Sequence, residues 1–369
     1  MKKLMYSMLI VGAVCSACAT SDLEEPANES VSASTQDVGR AGLWPAHDEV
    51  GMGNTQGYAT RLRCALELVR PRAKVYELAH LVSNTMPQSP FSAPVAYTFR
   101  PTNFMAGTAH IFNGEAVAGE LAHQGTQFDA LGHFGYLSAP WDGTSAQPID
   151  DIRYYNGFTQ ADVKPTPDSP LLKLGVDKAP PIVTSGVFLD AMTHLNGGNV
   201  LPPGFAITAS HIQTLLQAHG LQHRGILPGD AIFIRTGWQK LRTGGGWQDP
   251  MVDSNYYRFG PGLAYSGVRY LETKKVVLIA LDNPFTDPVN EGQLQGQAPP
   301  PAECPPGLPF CIHHYTLAKA GIYQIQNANL SAIVDDGVTT ACTIILPLRT
   351  QGGTGSPVRP IAVGAPHDD

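Results

Sequence analysis

Apolar and polar positions alternate along the chain with both strand and helix periods. Ala231-Ile-Phe-Ile-Arg235 is a short apolar run that follows a Gly229-Asp230 turn, and it predicts a central strand. Val276-Val-Leu-Ile-Ala-Leu281, ending at Asp282, predicts a buried strand, and Cys342-Thr-Ile-Ile-Leu346 predicts another. Between them, Ser210 with Gln213 reads as a capping box that opens a helix. Ile212, Leu215 and Leu216 mark its inner face and Gly220 its end. A further helix carries Val268 to Leu271. Ala116 to Ala122 predicts a short strand leading into His123. Two segments, 144–185 and 284–310, are Pro-rich and weakly periodic, and the second lies directly before His313. Residues 41–369 hold no internal repeat and no dividing linker. The expectation is one compact α/β domain with a mixed β-sheet or barrel-like core flanked by helices.

Composition narrows the partners. Charged residues make up 15% of the chain, Gly numbers 38 and Pro 31, and the net charge is −7. With no basic run to neutralise phosphates, nucleic acid is excluded as an expected partner, and a small molecule is expected. Lys2 and Lys3 precede an apolar stretch from Leu4 to Val14 that is too short to span a bilayer, followed by small residues at Ser16, Ala17 and Ala19. This reads as an export signal over 1–19, with 20–40 as a flexible tether. Ala17-Cys18-Ala19 fits a cleavage site, and Ser16-Ala17-Cys18 approximates a lipid-attachment box, so a soluble product and a lipid anchor at Cys18 both stay open. Either way the protein is expected in the periplasm, the cell envelope or the medium. Such a compartment permits disulfides, and Cys304 with Cys311 brackets a short Pro-Gly-rich loop. Cys64 and Cys342 read as ordinary buried thiols.

The chemistry concentrates in His123-Gln-Gly-Thr-Gln127-Phe-Asp129-Ala-Leu-Gly-His133. Two imidazoles, a carboxylate and an amide within eleven residues offer the ligands that divalent metals take from proteins. Gly125 supplies the sharp turn that lets His123, Gln127 and Asp129 converge. A second cluster, His313-His314, lies upstream of Gly321 and Gln326. Asp282, at a strand end, reads either as a partner steadying a metal-site histidine or as a cap of the next turn. Arg235 reads as a structural ion pair.

These residues resemble the cyclase family of metal-dependent amidohydrolases, which includes bacterial kynurenine formamidases and isatin hydrolases. The resemblance runs from Trp44-Pro-Ala-His-Asp48-Glu49-Val-Gly51-Met-Gly-Asn54, through the His-rich motif and Arg235-Thr236-Gly237-Trp238, to Gly352-Gly-Thr354-Gly355-Ser356-Pro357-Val-Arg359. It implies a swivelling β/β/α fold and frequent homo-oligomers. It also implies that His123, Gln127, Asp129, His313 and Gln326 hold metal, with His133 as acid/base. Gly321 selects His313 over His314 and Gln326 over Gln324. Gln127 replaces the family's usual histidine, and Gln326 stands where formamidase-like members carry glutamate. Only Asp129 among the five is anionic, so one divalent cation, Mn²⁺ or Zn²⁺, is expected rather than two. The two glutamines are open to a ligand role or to hydrogen bonding beside the ligands. The expected reaction is hydrolysis of an amide, cyclic amide or lactone. A cyclase or lyase that stabilises an enolate is the alternative, as is a small-molecule binding protein without turnover. Phe128, Tyr136 and Trp141 are candidate pocket aromatics.

Overall fold

The computed structural model describes residues 43–241, 256–301 and 303–367. The expected export signal and tether lie outside these residues. Nine strands form one mixed sheet: β1 (Lys74–Glu77), β2 (Gln127–Asp129), β3 (Ile182–Asp190), β4 (Ala231–Arg235), β5 (Leu278–Leu281), β6 (Tyr323–Gln326), β7 (Thr340–Ile345), β8 (Gly355–Pro357) and β9 (Ile361–Gly364). Their spatial order is β1-β9-β7-β3-β4-β5-β6-β2-β8, with two edges, so the sheet is open rather than a closed barrel. Pairings from β3 through β6 are parallel and the others antiparallel.

The apolar runs of β4 and β5 are buried on both faces, as central parallel strands must be. Side-chain alternation sends Ala231, Phe233, Leu278 and Ala280 into one core and Ile232, Ile234, Ile279 and Leu281 into the other. The longer helices include α1 (Tyr58–Leu68), α2 (Ala209–Ala218) and α3 (Tyr265–Thr273). Helices α2 and α3 cover the second core with Ile212, Leu215, Leu216, Val268 and Leu271. Each fully buried aliphatic side chain of this kind contributes ~1.5–3 kcal/mol.

Local details differ from the sequence reading in three places. The cap of α2 is Thr208, whose Oγ1 accepts the His211 N–H at 3.2 Å, and Ser210 lies within the helix. Thr208 wins because His211 Nδ1 accepts its N–H in return, completing the reciprocal pair that Gln213 was expected to provide. Cys64 on α1 is bonded to Cys342 on β7, so these two are a disulfide and not free thiols; Cys304 and Cys311 form the second. The segment 116–122 is not one strand. Glu115–Ala118 pairs with Ala96–Phe99, and Leu121–His123 is a separate helical turn. Among the described residues no helix is long and apolar enough to cross a membrane.

Candidate metal centre

The centre is built where β6 and β2 pair. Gln326 lies opposite Gln127, and Gln324 opposite Asp129. The two-residue period therefore puts all four polar side chains on one face and sends Phe128 and Ile325 into the core behind. Phe128 stacks there on Tyr323 at 5.0 Å, so it is core and not the pocket residue the sequence suggested. Gly125 holds φ +69°, the left-handed turn that brings His123 back over β2. Gly355 on β8 must be glycine for a different reason: a Cβ there would stand 2.7 Å from the Phe128 carbonyl oxygen and 3.0 Å from His123 Cε1.

Asp129 is fully buried and sits between two histidines. Its Oδ1 is 3.5 Å from His123 Nδ1, and its Oδ2 is 3.5 Å from His313 Nε2. Gln326 Nε2 donates to Asp129 Oδ2 and to Gln324 Oε1, each at 2.8 Å. His133 arrives on the turn Leu131–His133 and stacks on His123 with ring centres 4.2 Å apart. Ligand atoms of His123, Asp129 and His133 all lie within 4.8 Å of one another. Gln127 is buried on the same face.

Electrostatics follow from this packing. Burial opposes ionisation of Asp129, but His133, His123 and His313 outweigh it and hold the carboxyl well below its usual range. Desolvation carries His133 down to about 3 against the pull of Asp129, with His123 and His313 adding repulsion. Burial also works against His313, yet Asp287 and then Asp129 raise it to about 9.

Asp287 is the functional residue that the sequence reading missed. It forms a very short hydrogen bond with His313 Nδ1 and accepts the Ile312 N–H at 2.5 Å, which turns His313 Nε2 toward Asp129. Asp282 does not play that part: its carboxylate is spent on the Thr236 N–H and hydroxyl and the Gly237 N–H. The one available signal for Asp287 was a carboxylate at the head of the Pro-rich segment that ends at His313. Arg235 bonds Asp190 and Asp335, the structural ion pair expected.

Three buried atoms here meet no protein partner: His123 Nδ1, Asp129 Oδ1 and Gln326 Oε1. Each such atom costs ~1–3 kcal/mol if left unsatisfied. Asp129 Oδ1 and Gln326 Oε1 offer lone pairs, and His123 Nδ1 offers one in the tautomer whose Nε2 donates to Thr354 Oγ1 across 2.9 Å. Two donors of one tetrahedral ion, each ~2.1 Å from it, stand roughly 3.4 Å apart. The 3.5 Å between His123 Nδ1 and Asp129 Oδ1 matches that spacing. The residues thus fit a divalent cation.

The surroundings are aromatic. Phe134 lies 4.9 Å and Phe310 6.1 Å from the His313 ring, and Phe310 continues into Phe285 and Phe91. Two residues beyond His133 a cavity of about 360 Å³ opens, lined by Tyr136, Trp141, Tyr154, Ile149 and Ile152. The motif at Trp44 lies beneath the His313 helix: Met52 N–H donates to the Gly321 carbonyl at 2.7 Å, and Asp48 accepts the Gly51 N–H at 2.7 Å.

An open mixed sheet bearing a buried His/Asp cluster at its β6–β2 seam defines an α/β protein of metal-site type. The Cyclase family model matches residues 76–288, more than half the chain, and the protein belongs to that family. It is 31% identical over 166 residues to an isatin hydrolase from Roseibium aggregatum. That match takes in 44% of this chain and 53% of the relative, so it spans about half the relative's length. A crystallised cyclase has the same fold at TM-score 0.69 and 22% identity, covering 88% of this chain and 97% of the other. Isatin hydrolase A from Ralstonia solanacearum follows at TM-score 0.51 and 21% identity, covering 82% and 96%. Isatin hydrolase A from Labrenzia aggregata, bound to benzyl benzoate, gives TM-score 0.51 and 20% identity, covering 82% and 98%. At these identities the structures speak to the fold.

Proposed function

We propose that the protein is an exported metal-dependent hydrolase that opens an amide, cyclic amide or lactone in a small, flat organic molecule. The observation that carries this reading is the pair of buried atoms His123 Nδ1 and Asp129 Oδ1, 3.5 Å apart and each without a hydrogen-bond partner. His123 and Asp129, with Gln127, His313 and Gln326, would hold one divalent cation. Amide oxygens beside two imidazoles and a carboxylate suit Mn²⁺ at least as well as Zn²⁺. Such an ion, when bound, polarises a carbonyl and makes a water acidic.

The chain's own residues supply the rest. His133, stacked on His123, takes the proton from the attacking water and returns it to the leaving nitrogen or oxygen. Asp287 fixes His313 in one tautomer. Phe134 and Phe310 flank His313 and would hold a planar ring against the reacting carbonyl while excluding bulk water. The likeness to an isatin hydrolase supports a cyclic amide as the first substrate to try. Two disulfides support an export compartment.

The test is turnover of isatin, N-formylkynurenine and a lactone panel by protein loaded with Mn²⁺ or Zn²⁺, beside metal analysis of variants. His133→Ala should abolish turnover and keep its metal, whereas His123→Ala should lose both. Metal loss in His133→Ala would make it a ligand, and no turnover across the panel would sink the hydrolase.

A further inference from the structure

Helix α1 meets the body of the protein with its small and polar side. Only Thr60 and Cys64 of its eleven residues are buried. A surface helix is ordinarily held down by an apolar stripe, but here other bonds hold it. Cys64 is joined to Cys342 on β7. The Arg63 guanidinium donates to the Pro228 carbonyl at 2.8 Å and to Asp230 Oδ1 at 3.2 Å. The Thr340 hydroxyl donates to Glu67 Oε1 at 2.8 Å. Thr60 packs so closely on Gly229 that a Cβ there would stand 2.5 Å from its methyl group.

The apolar side faces outward. Tyr58 and the capping residue Val69 are each 76% exposed, Leu66 58% and Leu62 43%. At ~100° per residue these four positions fall within an arc of about 80°, centred opposite Thr60 and Cys64. Contiguous apolar surface of this kind, rimmed by polar residues, marks a docking face. The rim is basic. Arg61 is exposed beside the stripe, and Arg70, Arg72 and Lys74 are exposed past its end. Residues 58–75 hold five of the chain's 24 basic residues and one, Glu67, of its 31 acidic ones. Arg70 pairs with Glu67 at 2.9 Å and Lys74 with Asp336 at 2.6 Å, both half-exposed ion pairs of the weak kind that another anion can displace.

We infer that this face of α1 docks on an anionic phospholipid surface, with Tyr58, Leu62, Leu66 and Val69 among the acyl chains and the basic rim on the phosphates. Size and charge favour this occupant. The stripe is one helix long, about 16 Å, and offers on the order of half the ~800 Å² that each partner of a standard protein interface contributes. A lipid surface requires no matching shape. It receives an apolar helix face at the boundary of headgroups and chains, and anionic headgroups supply the countercharge. A local positive excess in a chain of net charge −7 selects such a surface. The Cys64–Cys342 bond keeps the helix on the protein while its apolar side is spent outside. Docking of this kind needs neither turnover nor a lipid on Cys18, so it stands or falls apart from the hydrolase.

The experiment follows a tryptophan placed in the stripe. The full chain with Tyr58→Trp is titrated with 3:1 phosphatidylcholine–phosphatidylglycerol vesicles, and the emission of the wild type, which has four tryptophans, is subtracted. The added tryptophan should shift to shorter wavelength and be quenched by brominated lipid. Phosphatidylcholine alone should bind roughly tenfold more weakly or worse. Adding Leu62→Asp/Leu66→Asp should remove the shift and leave the circular dichroism spectrum unchanged. No shift with either vesicle, equal shifts with both, or a shift that survives in the Asp variant overturns the docking. A shift that appears without vesicles as protein concentration rises overturns it too and gives the face to a protein. Should the Asp variant unfold, Arg61→Glu/Arg70→Glu, which alters exposed side chains alone, decides: about tenfold weaker vesicle binding supports the docking, and unchanged binding refutes it.

Discussion

Asn327 Nδ2 donates to the Gly125 carbonyl at 2.9 Å, binding the residue after Gln326 to the turn between His123 and Gln127. The Asn327 carbonyl accepts the Thr126 hydroxyl at 2.7 Å, and its Oδ1 accepts the Tyr256 hydroxyl at 2.9 Å. Asn327 is fully buried at φ +55°, a left-handed conformation that asparagine tolerates better than most residues. It therefore sets the spacing of the two metal-site strands without itself facing the site. Asn327→Ala should cost about 2–3 kcal/mol by stranding buried partners. It should also weaken metal binding ~10–100-fold, the scale seen when a residue supporting a ligand is lost. Urea unfolding and metal titration of the variant check both. Asn327→Asp, which sets a carboxylate oxygen against the Gly125 carbonyl, should be at least as damaging.

How far the sequence could be read depended on how local each determinant was. Strands β4, β5 and β7 were legible because their apolar runs are continuous and end at turn residues. The candidate metal cluster was legible as a cluster because its side chains come from two short windows, 123–133 and 313–326. Asp287 was not, because it reaches His313 across 26 residues of Pro-rich chain while Asp282 stood at the more conspicuous strand end. Of the ribbon that pairs Ala96–Phe99 with Glu115–Ala118, only a strand over 116–122 was read, because its exposed apolar residues have no core of their own chain to face. The Cys64–Cys342 bond joins α1 to β7 across 278 residues, and neither cysteine has a neighbour in sequence that betrays it.

That bond leads to a stability prediction. A cross-link closing a loop of this length restricts the unfolded chain by about 5 kcal/mol, whereas the seven-residue separation of Cys304 and Cys311 is worth roughly half as much. Cys64→Ser/Cys342→Ser should therefore lower the urea midpoint much further than Cys304→Ser/Cys311→Ser. The second pair lies two residues from His313, so its loss should weaken metal affinity more than global stability. Parallel unfolding and metal titrations of the two double variants separate these effects. Equal loss of stability in both would contradict the assignment.

His219 gives a pH dependence. It caps α2, its Nε2 accepts the Asp190 N–H at 2.8 Å, and the His194 ring packs edge-on at 4.8 Å. Burial, with His194 and Arg235 adding to it against Asp190, lowers it to about 4. The folded state thus prefers the neutral ring. Its contribution is complete above the ordinary histidine value of ~6.5 and is lost as pH falls through 4. His219→Gln should flatten the fall in stability over that window relative to wild type, measured as the urea midpoint between pH 7.5 and 4. Identical slopes for the two proteins would show that His219 keeps an unperturbed proton affinity.

The amide at position 326 should decide how many ions the centre accepts. Asp129 is the one carboxylate among the candidate ligands, and Asp287 is committed to His313. A second divalent cation close to the first would face about 4 kcal/mol or more of repulsion per pair of unit charges at an effective dielectric of 20, with no anion to bridge them. Metal analysis of freshly purified wild type should give one ion per chain. Gln326→Glu restores a carboxylate 2.8 Å from the Asp129 and Gln324 oxygens, which repel it when no metal is bound. The metal-free variant should consequently be less stable than metal-free wild type, and the loaded variant should approach two ions per chain. Thermal melts with and without chelator, read beside metal content, test the pair of outcomes. Two ions in the wild type would refute the single-cation centre, and one ion in the variant would show that the charge at position 326 does not set the count.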